Sequence, residues 1–220
     1  MQPKTLDHVA FWVSDRNRIA AFAERHLGMH VILTDESFTL IGSDARRGKL
    51  TLFDADGPRA PGPFKHVGLR VGDLAEARRA LPAGTPDLFD IGEGINVVLV
   101  EAETDVDYDL DHVALWSPAP AQTAGEYARY GFEPAGPGRV EVGGAFVELR
   151  EGSAAGTERP LLNHLAVLVD SADDVVADAA DLAIEVESVV DAANTYAAFL
   201  VGPERVRIEY VEHKPTFTLT

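Results

Sequence analysis

A chain of 220 residues, 46% hydrophobic and 25% charged, can hold one large or two small domains with real cores and has an ordinary soluble composition. Its 36 acidic and 19 basic side chains leave a formal net charge of -17, which argues against nucleic acid and anionic membrane surfaces as partners. The lack of cysteine excludes disulfides, thiolate metal sites and cysteine nucleophiles, and with no bilayer-spanning stretch or signal-peptide core the cytoplasm is the expected location.

The first expected element is a strand from about Leu6 to Val13. It runs into Ser14-Asp15, a helix N-cap, after which Ile19, Phe22, Ala23 and Leu27 mark one helical face and Gly28 suits its stop. Three strands follow at about Met29 to Thr34, Phe38 to Gly42 and Lys49 to Phe53, so the unit reads βαβββ. Asp56 to Pro63, rich in proline and glycine, reads as a linker. A second unit starts at Phe64 with a strand to Val71, a helix from about Leu74 to Leu81, an indistinct middle and a last strand at Ile95 to Glu101. Ala102 to Asp109 is acidic and reads as the exposed connection between two halves. The third unit opens at Leu110, with a helix near Gln122 to Tyr130, a stop at Gly131 and a last strand at Ala145 to Arg150. After a loop at Gly152 to Pro160 comes the fourth, with its first strand from Leu162, a helix near Asp173 to Leu182 and a last strand at Arg205 to Val211.

The four first strands share one pattern. Leu6-Asp7-His8-Val9-Ala10-Phe11-Trp12 nearly repeats 104 positions later as Leu110-Asp111-His112-Val113-Ala114-Leu115-Trp116. His66 and His164 occupy the same place in Lys65-His66-Val67-Gly68-Leu69 and Asn163-His164-Leu165-Ala166-Val167. Alternate strand residues face opposite ways, so each histidine shares a face with a small residue two places on, while large apolar residues fill the other face. A histidine beside a small residue suits a concave sheet with an internal cavity.

Four βαβββ units with a histidine on each first strand and a carboxylate on some last strands resemble the vicinal oxygen chelate superfamily. That group includes glyoxalase I, bleomycin resistance proteins and extradiol ring-cleaving dioxygenases. The resemblance covers essentially the whole chain and implies an α+β fold of four βαβββ modules paired into two glyoxalase-like half-barrel domains. They are expected at residues 1–105, metal-free, and 106–220, holding one divalent metal. It implies His112, His164, Glu209 and Glu148 as metal ligands, with Fe(II) favoured and Mn(II), Zn(II) or Ni(II) as alternatives. In the first half Thr51 and Val98 stand where carboxylates would fall, and Asp54 and Glu101, three residues later, turn to the opposite strand face; His8 and His66 then read as remnants of duplication.

One competent half behind a vestigial one is most similar to an extradiol dioxygenase acting on a catechol-type substrate. Phe199 stands where that branch carries a tyrosine, its histidine would fall around Val190, and Tyr196 reaches the site only through a slip of three residues. The alternatives are a glyoxalase-type isomerase, lyase or epimerase, with Glu148 as general base, and a non-catalytic ligand-binding protein. In each case the partner is a small molecule, and self-association is left open. His26 and His30 read as surface residues and His213 as tail, with a pocket-edge role as its alternative.

Overall fold

The computed structural model describes residues 1–153 and 158–220. The first module comprises β1 (Thr5–Val13), α1 (Arg16–His26), β2 (His30–Thr34), β3 (Phe38–Gly42) and β4 (Lys49–Asp54). Asp15 caps α1 by accepting from the Arg18 N–H at 3.0 Å, and Gly28 takes the left-handed conformation (φ 58°) that ends it. The second module has β5 (Phe64–Val71), α2 (Leu74–Ala80), β6 (Leu88–Asp90) and β7 (Asn96–Glu101). It has one strand fewer than its fellows, because Leu81 to Pro86 carries two prolines and a left-handed Gly84 where a ladder strand would need backbone donors.

The third module is β8 (Asp109–Ser117), α3 (Pro120–Tyr127) with a 3₁₀ turn to Tyr130, β9 (Glu133–Pro134), β10 (Arg139–Val142) and β11 (Ala145–Glu151). The fourth is β12 (Leu162–Leu168), α4 (Ala172–Asp181), β13 (Val186–Asp191), β14 (Thr195–Val201) and β15 (Arg207–His213). The loop expected at Gly152 to Pro160 lies partly outside the described residues.

The modules do not pair in chain order. One sheet runs β13-β14-β15-β12-β1-β4-β3-β2 and unites the first module with the fourth; the other runs β6-β7-β5-β8-β11-β10-β9 and unites the second with the third. The expected domains, 1–105 and 106–220, therefore cut across both half-barrels. The physical reason is that β1 joins β12 antiparallel just as β5 joins β8, with near-identical first strands on each side of the seam. Exchanging partners between duplicated halves preserves every local contact type, as in domain swapping.

Val9, Phe11, Val67, Leu69, Val113 and Leu165 are fully buried on the convex faces, where they join the helices in one continuous core. Each such side chain stabilises the fold by roughly 1.5–3 kcal/mol. The Phe11 and Phe64 rings meet edge-on at 5.0 Å where the two half-barrels touch. The opposite, concave faces carry the histidines.

Candidate metal centre

In each half-barrel the two central first strands bring their histidines face to face. His8 and His164 meet with Nε2 atoms 3.1 Å apart, and Glu209 on β15 reaches both, with Oε2 3.0 Å from His8 Nε2 and 2.9 Å from His164 Nε2. In the other half-barrel His66 and His112 approach to 3.0 Å, with Glu148 completing a cluster whose ligand atoms lie within 4.8 Å of one another. The four expected ligands are thus divided: His164 and Glu209 belong to one cluster, His112 and Glu148 to the other. His8 and His66, read as remnants, complete them.

The fourth position of each site follows from register. Glu209 lies opposite Ala166, Glu148 opposite Ala114, Thr51 opposite Ala10 and Val98 opposite Gly68. Each half-barrel therefore has two histidines, one glutamate and one side chain that is not a strong ligand. Asp54 and Glu101 stay outside, as the alternation implies. Asp54 pairs with Arg16 at the surface, and Glu101 accepts the Leu74 N–H at the start of α2.

The residue before each histidine decides what the ring presents. Simple alternation would turn it away, but the ladders shift register between Leu6 and His8, at Phe64/His66, at Gly68/Leu69 opposite Asp111, and at Ala10/Phe11 opposite Asn163. These bulges bring both neighbours to one face. His8 Nδ1–H donates to Asp7 at 2.7 Å, and His164 Nδ1–H donates to Asn163 Oδ1 at 3.0 Å, an oxygen that also accepts from Arg207 at 2.7 Å. Once His8 gives up its second proton, both Nε2 lone pairs point at each other and at the Glu209 carboxylate. Three electron pairs converge on one spot, a place for a cation.

The second cluster differs. Lys65 Nζ donates to His66 Nδ1 at 3.3 Å, which leaves the His66 proton on Nε2, where it is given to His112 Nε2; His112 Nδ1–H in turn donates to Asp111 at 2.8 Å. Glu148 is engaged by Arg150 at 2.6 Å. This cluster satisfies itself with the protons it has. Burial, helped by Lys65 and His112, pushes the His66 imidazole down to about 4.

Electrostatics at the first cluster agree with its demand for positive charge. Burial disfavours the His8 imidazolium, but the Glu209 and Asp7 carboxylates outweigh it and raise its pKa to about 9. Burial likewise opposes the Glu209 charge, which His8 and His164 nevertheless hold well below the usual carboxylate range. His164 is pushed down, by burial first. Asp7 is buried among Lys49 at 2.9 Å, His213 at 3.0 Å and His8, and their combined attraction overcomes burial to keep it ionised. A proton on His8 occupies the space a metal would take.

The geometry fits a metal. Donors about 2.1 Å from a common ion at right angles to one another lie roughly 3 Å apart. The observed edges of 3.1, 3.0 and 2.9 Å make that triangle, one face of an octahedron. It opens on a trough of about 690 Å³ whose walls include Trp12, Leu33, Phe38, Phe53 and Phe199. Thr51 Oγ1 is buried in this trough without a hydrogen-bond partner.

The catalytic residues expected from sequence lie elsewhere. The Tyr196 hydroxyl donates to Asp173 at 2.9 Å, beside α4, and Phe199, not Tyr196, stands opposite Glu209. Glu148 lies in the other half-barrel. His213 is the remaining trough-lining imidazole among the described residues.

Two half-barrels built from βαβββ-type modules, each with histidines on its central strands, make the glyoxalase-like architecture that the sequence resemblance implied. Residues 5–93 of the chain match the family model of the Glyoxalase/Bleomycin resistance protein/Dioxygenase superfamily. Its fold is similar to that of a Bacillus subtilis protein provisionally named a dioxygenase (TM-score 0.80, 17% identity, 98% of this chain and 87% of that one). It is also similar to a V278E mutant of Zea mays glyoxalase I (TM-score 0.70, 14% identity, 94% and 92%) and to the cppA protein of Streptococcus pneumoniae (TM-score 0.63, 14% identity, 96% and 98%). At these identities the likeness is one of fold. No curated protein matches the chain in sequence. Among the described residues no helix is long and apolar enough to cross a membrane.

Proposed function

We propose that the chain is a metal-dependent oxygenase that opens a catechol-type ring at the site of His8, His164 and Glu209. The observation that carries this reading is the triangle of two imidazoles and one carboxylate whose fourth position is Thr51, in a trough walled by aromatic rings. A divalent metal held there, Fe(II) by preference, supplies Lewis acidity to two adjacent substrate oxygens and a route for electrons from the ring to dioxygen. Asp7 and Asn163 fix the tautomers of His8 and His164, so both rings offer Nε2. Phe53, Phe199 and Trp12 form an apolar slot that orients a flat ring and excludes water. His213, whose Nε2 lies 3.0 Å from Asp7 Oδ2, replaces Tyr196 and Glu148 as the acceptor of the substrate's hydroxyl proton.

A glyoxalase-type reaction would call for a second carboxylate beside the triangle, and Glu148 is in the other half-barrel. The test begins with metal content after anaerobic loading with Fe(II). About one iron per chain, lost in His8→Ala and Glu209→Ala but kept in His112→Ala, supports the site. Oxygen uptake in step with catechol consumption then supports ring opening, with both oxygen atoms entering the product. Metal-dependent turnover of a hemithioacetal without oxygen uptake would move the assignment to the isomerase class. Failure to bind Fe(II), Mn(II), Zn(II) or Ni(II) would leave a ligand-binding trough.

A further inference from the structure

A curved sheet leaves its mouth open between its outermost strands, here β2 and β13. The residues after β15 cross that mouth. At one side the Lys214 N–H donates to Asn194 O at 2.9 Å, and its ammonium donates to Ala192 O at 2.5 Å and pairs with Asp191. The Thr218 N–H donates to Asn194 Oδ1 at 3.0 Å. At the other side His30 Nε2 donates to Thr220 O at 3.3 Å, and the Arg46 guanidinium sits 4.9 Å from the centre of the Phe217 ring. The segment is a strap tied to the β13–β14 turn of the fourth module and to the outer edge of the first.

Between its anchors the strap turns apolar side chains inward. Phe217 and Leu219 both line the trough. Phe217 lies flat on His213, ring centres 4.3 Å apart and planes 21° from parallel, and His213 pairs with the Asp7 that orients His8. The anchors are exposed hydrogen bonds and ion pairs, each worth about 1 kcal/mol or less. The inward-facing ring is therefore what gives the strap its fixed place.

We propose that residues 214–220 form the fourth wall of the trough and that Phe217 sets the size of ligand admitted, accepting a single ring and rejecting a fused or bulky apolar one. The single-ring ligand class rests on the ring-opening reading above; the wall rests on the contacts just described.

The test uses the full chain. The metal-free protein is titrated with 1-anilinonaphthalene-8-sulfonate, a bulky apolar fluorophore. Wild type and Phe217→Tyr, which keeps the ring, are expected to stay dim, while Phe217→Ala brightens by about tenfold with an unchanged unfolding midpoint. Equal emission from wild type and Phe217→Ala, or brightening shared by Phe217→Tyr, would overturn the wall. In the metal-loaded protein, Phe217→Ala should shift the ratio of dissociation constants for 4-tert-butylcatechol and catechol by about tenfold toward the bulkier ligand. Should wild type bind neither catechol while the fluorophore still separates the variants, the ring-opening reading fails and the wall stands.

Discussion

His8 holds its proton to about pH 9 in the absence of metal, so metal binding must displace that proton. Metal affinity should therefore rise about tenfold per pH unit between 7 and 9 and flatten above, as read by competition with a chromophoric chelator. The sign for stability is the reverse. A histidine whose folded pKa is raised stabilises the metal-free chain fully below about 6.5, and that contribution is lost as pH climbs through 9. His213→Asn tests the proton acceptor: catalytic turnover should fall by about 10²–10⁴-fold while metal content stays at wild-type level. The sequence offered His164 and Glu209 correctly as neighbours, since both belong to the fourth module. It offered His213 only as a residue beyond the last strand, because the contact with Asp7 that brings it to the trough joins the two ends of the chain.

At the scale of the elements, apolar periodicity, alternating in strands and helical in helices, made the first strands, the helices and the last strands legible, although β15 starts at Arg207 where Arg205 was expected. Alternation failed where it was broken by design. The four bulges beside the histidines leave no mark in spacing, yet they set which tautomer each ring adopts and so separate a metal-ready cluster from a self-satisfied one. Glycine carries a further constraint on β5. A Cβ at Gly68 would overlap the His112 ring, the atoms in the way being ring rather than flexible chain. Gly68→Ala should cost about 1–3 kcal/mol in denaturant unfolding, by forcing His112 off its contact with His66. The same substitution should leave metal binding at His8, His164 and Glu209 unchanged.

At the scale of the whole molecule, one signal for the partner exchange was present in the sequence. Pairing the modules in chain order gives one half-barrel no last-strand glutamate and the other two, whereas the observed pairing gives each one. The near-identity of the first strands hid this, because strands that alike can seat against either neighbour. A direct check follows. Residues 1–105 and 106–220, produced as separate chains and mixed, should associate one to one and regain metal binding, since His8 lies on one fragment and His164 and Glu209 on the other. Fragments that stay apart, with metal bound by 106–220 alone, would overturn the observed pairing.

The exchange also orders events during synthesis. His66 and His112 are 46 residues apart, whereas His8 and His164 are separated by 156, a closure costing about 1 kcal/mol more. The inner half-barrel can close while the last quarter of the chain is still unmade, and β1 must wait without its partner until β12 emerges. Glu209 arrives later still. The His8, His164 and Glu209 cluster is thus a mark of completion: a nascent or truncated chain can carry a finished inner barrel, yet the three side chains meet only once β15 has been laid beside β12.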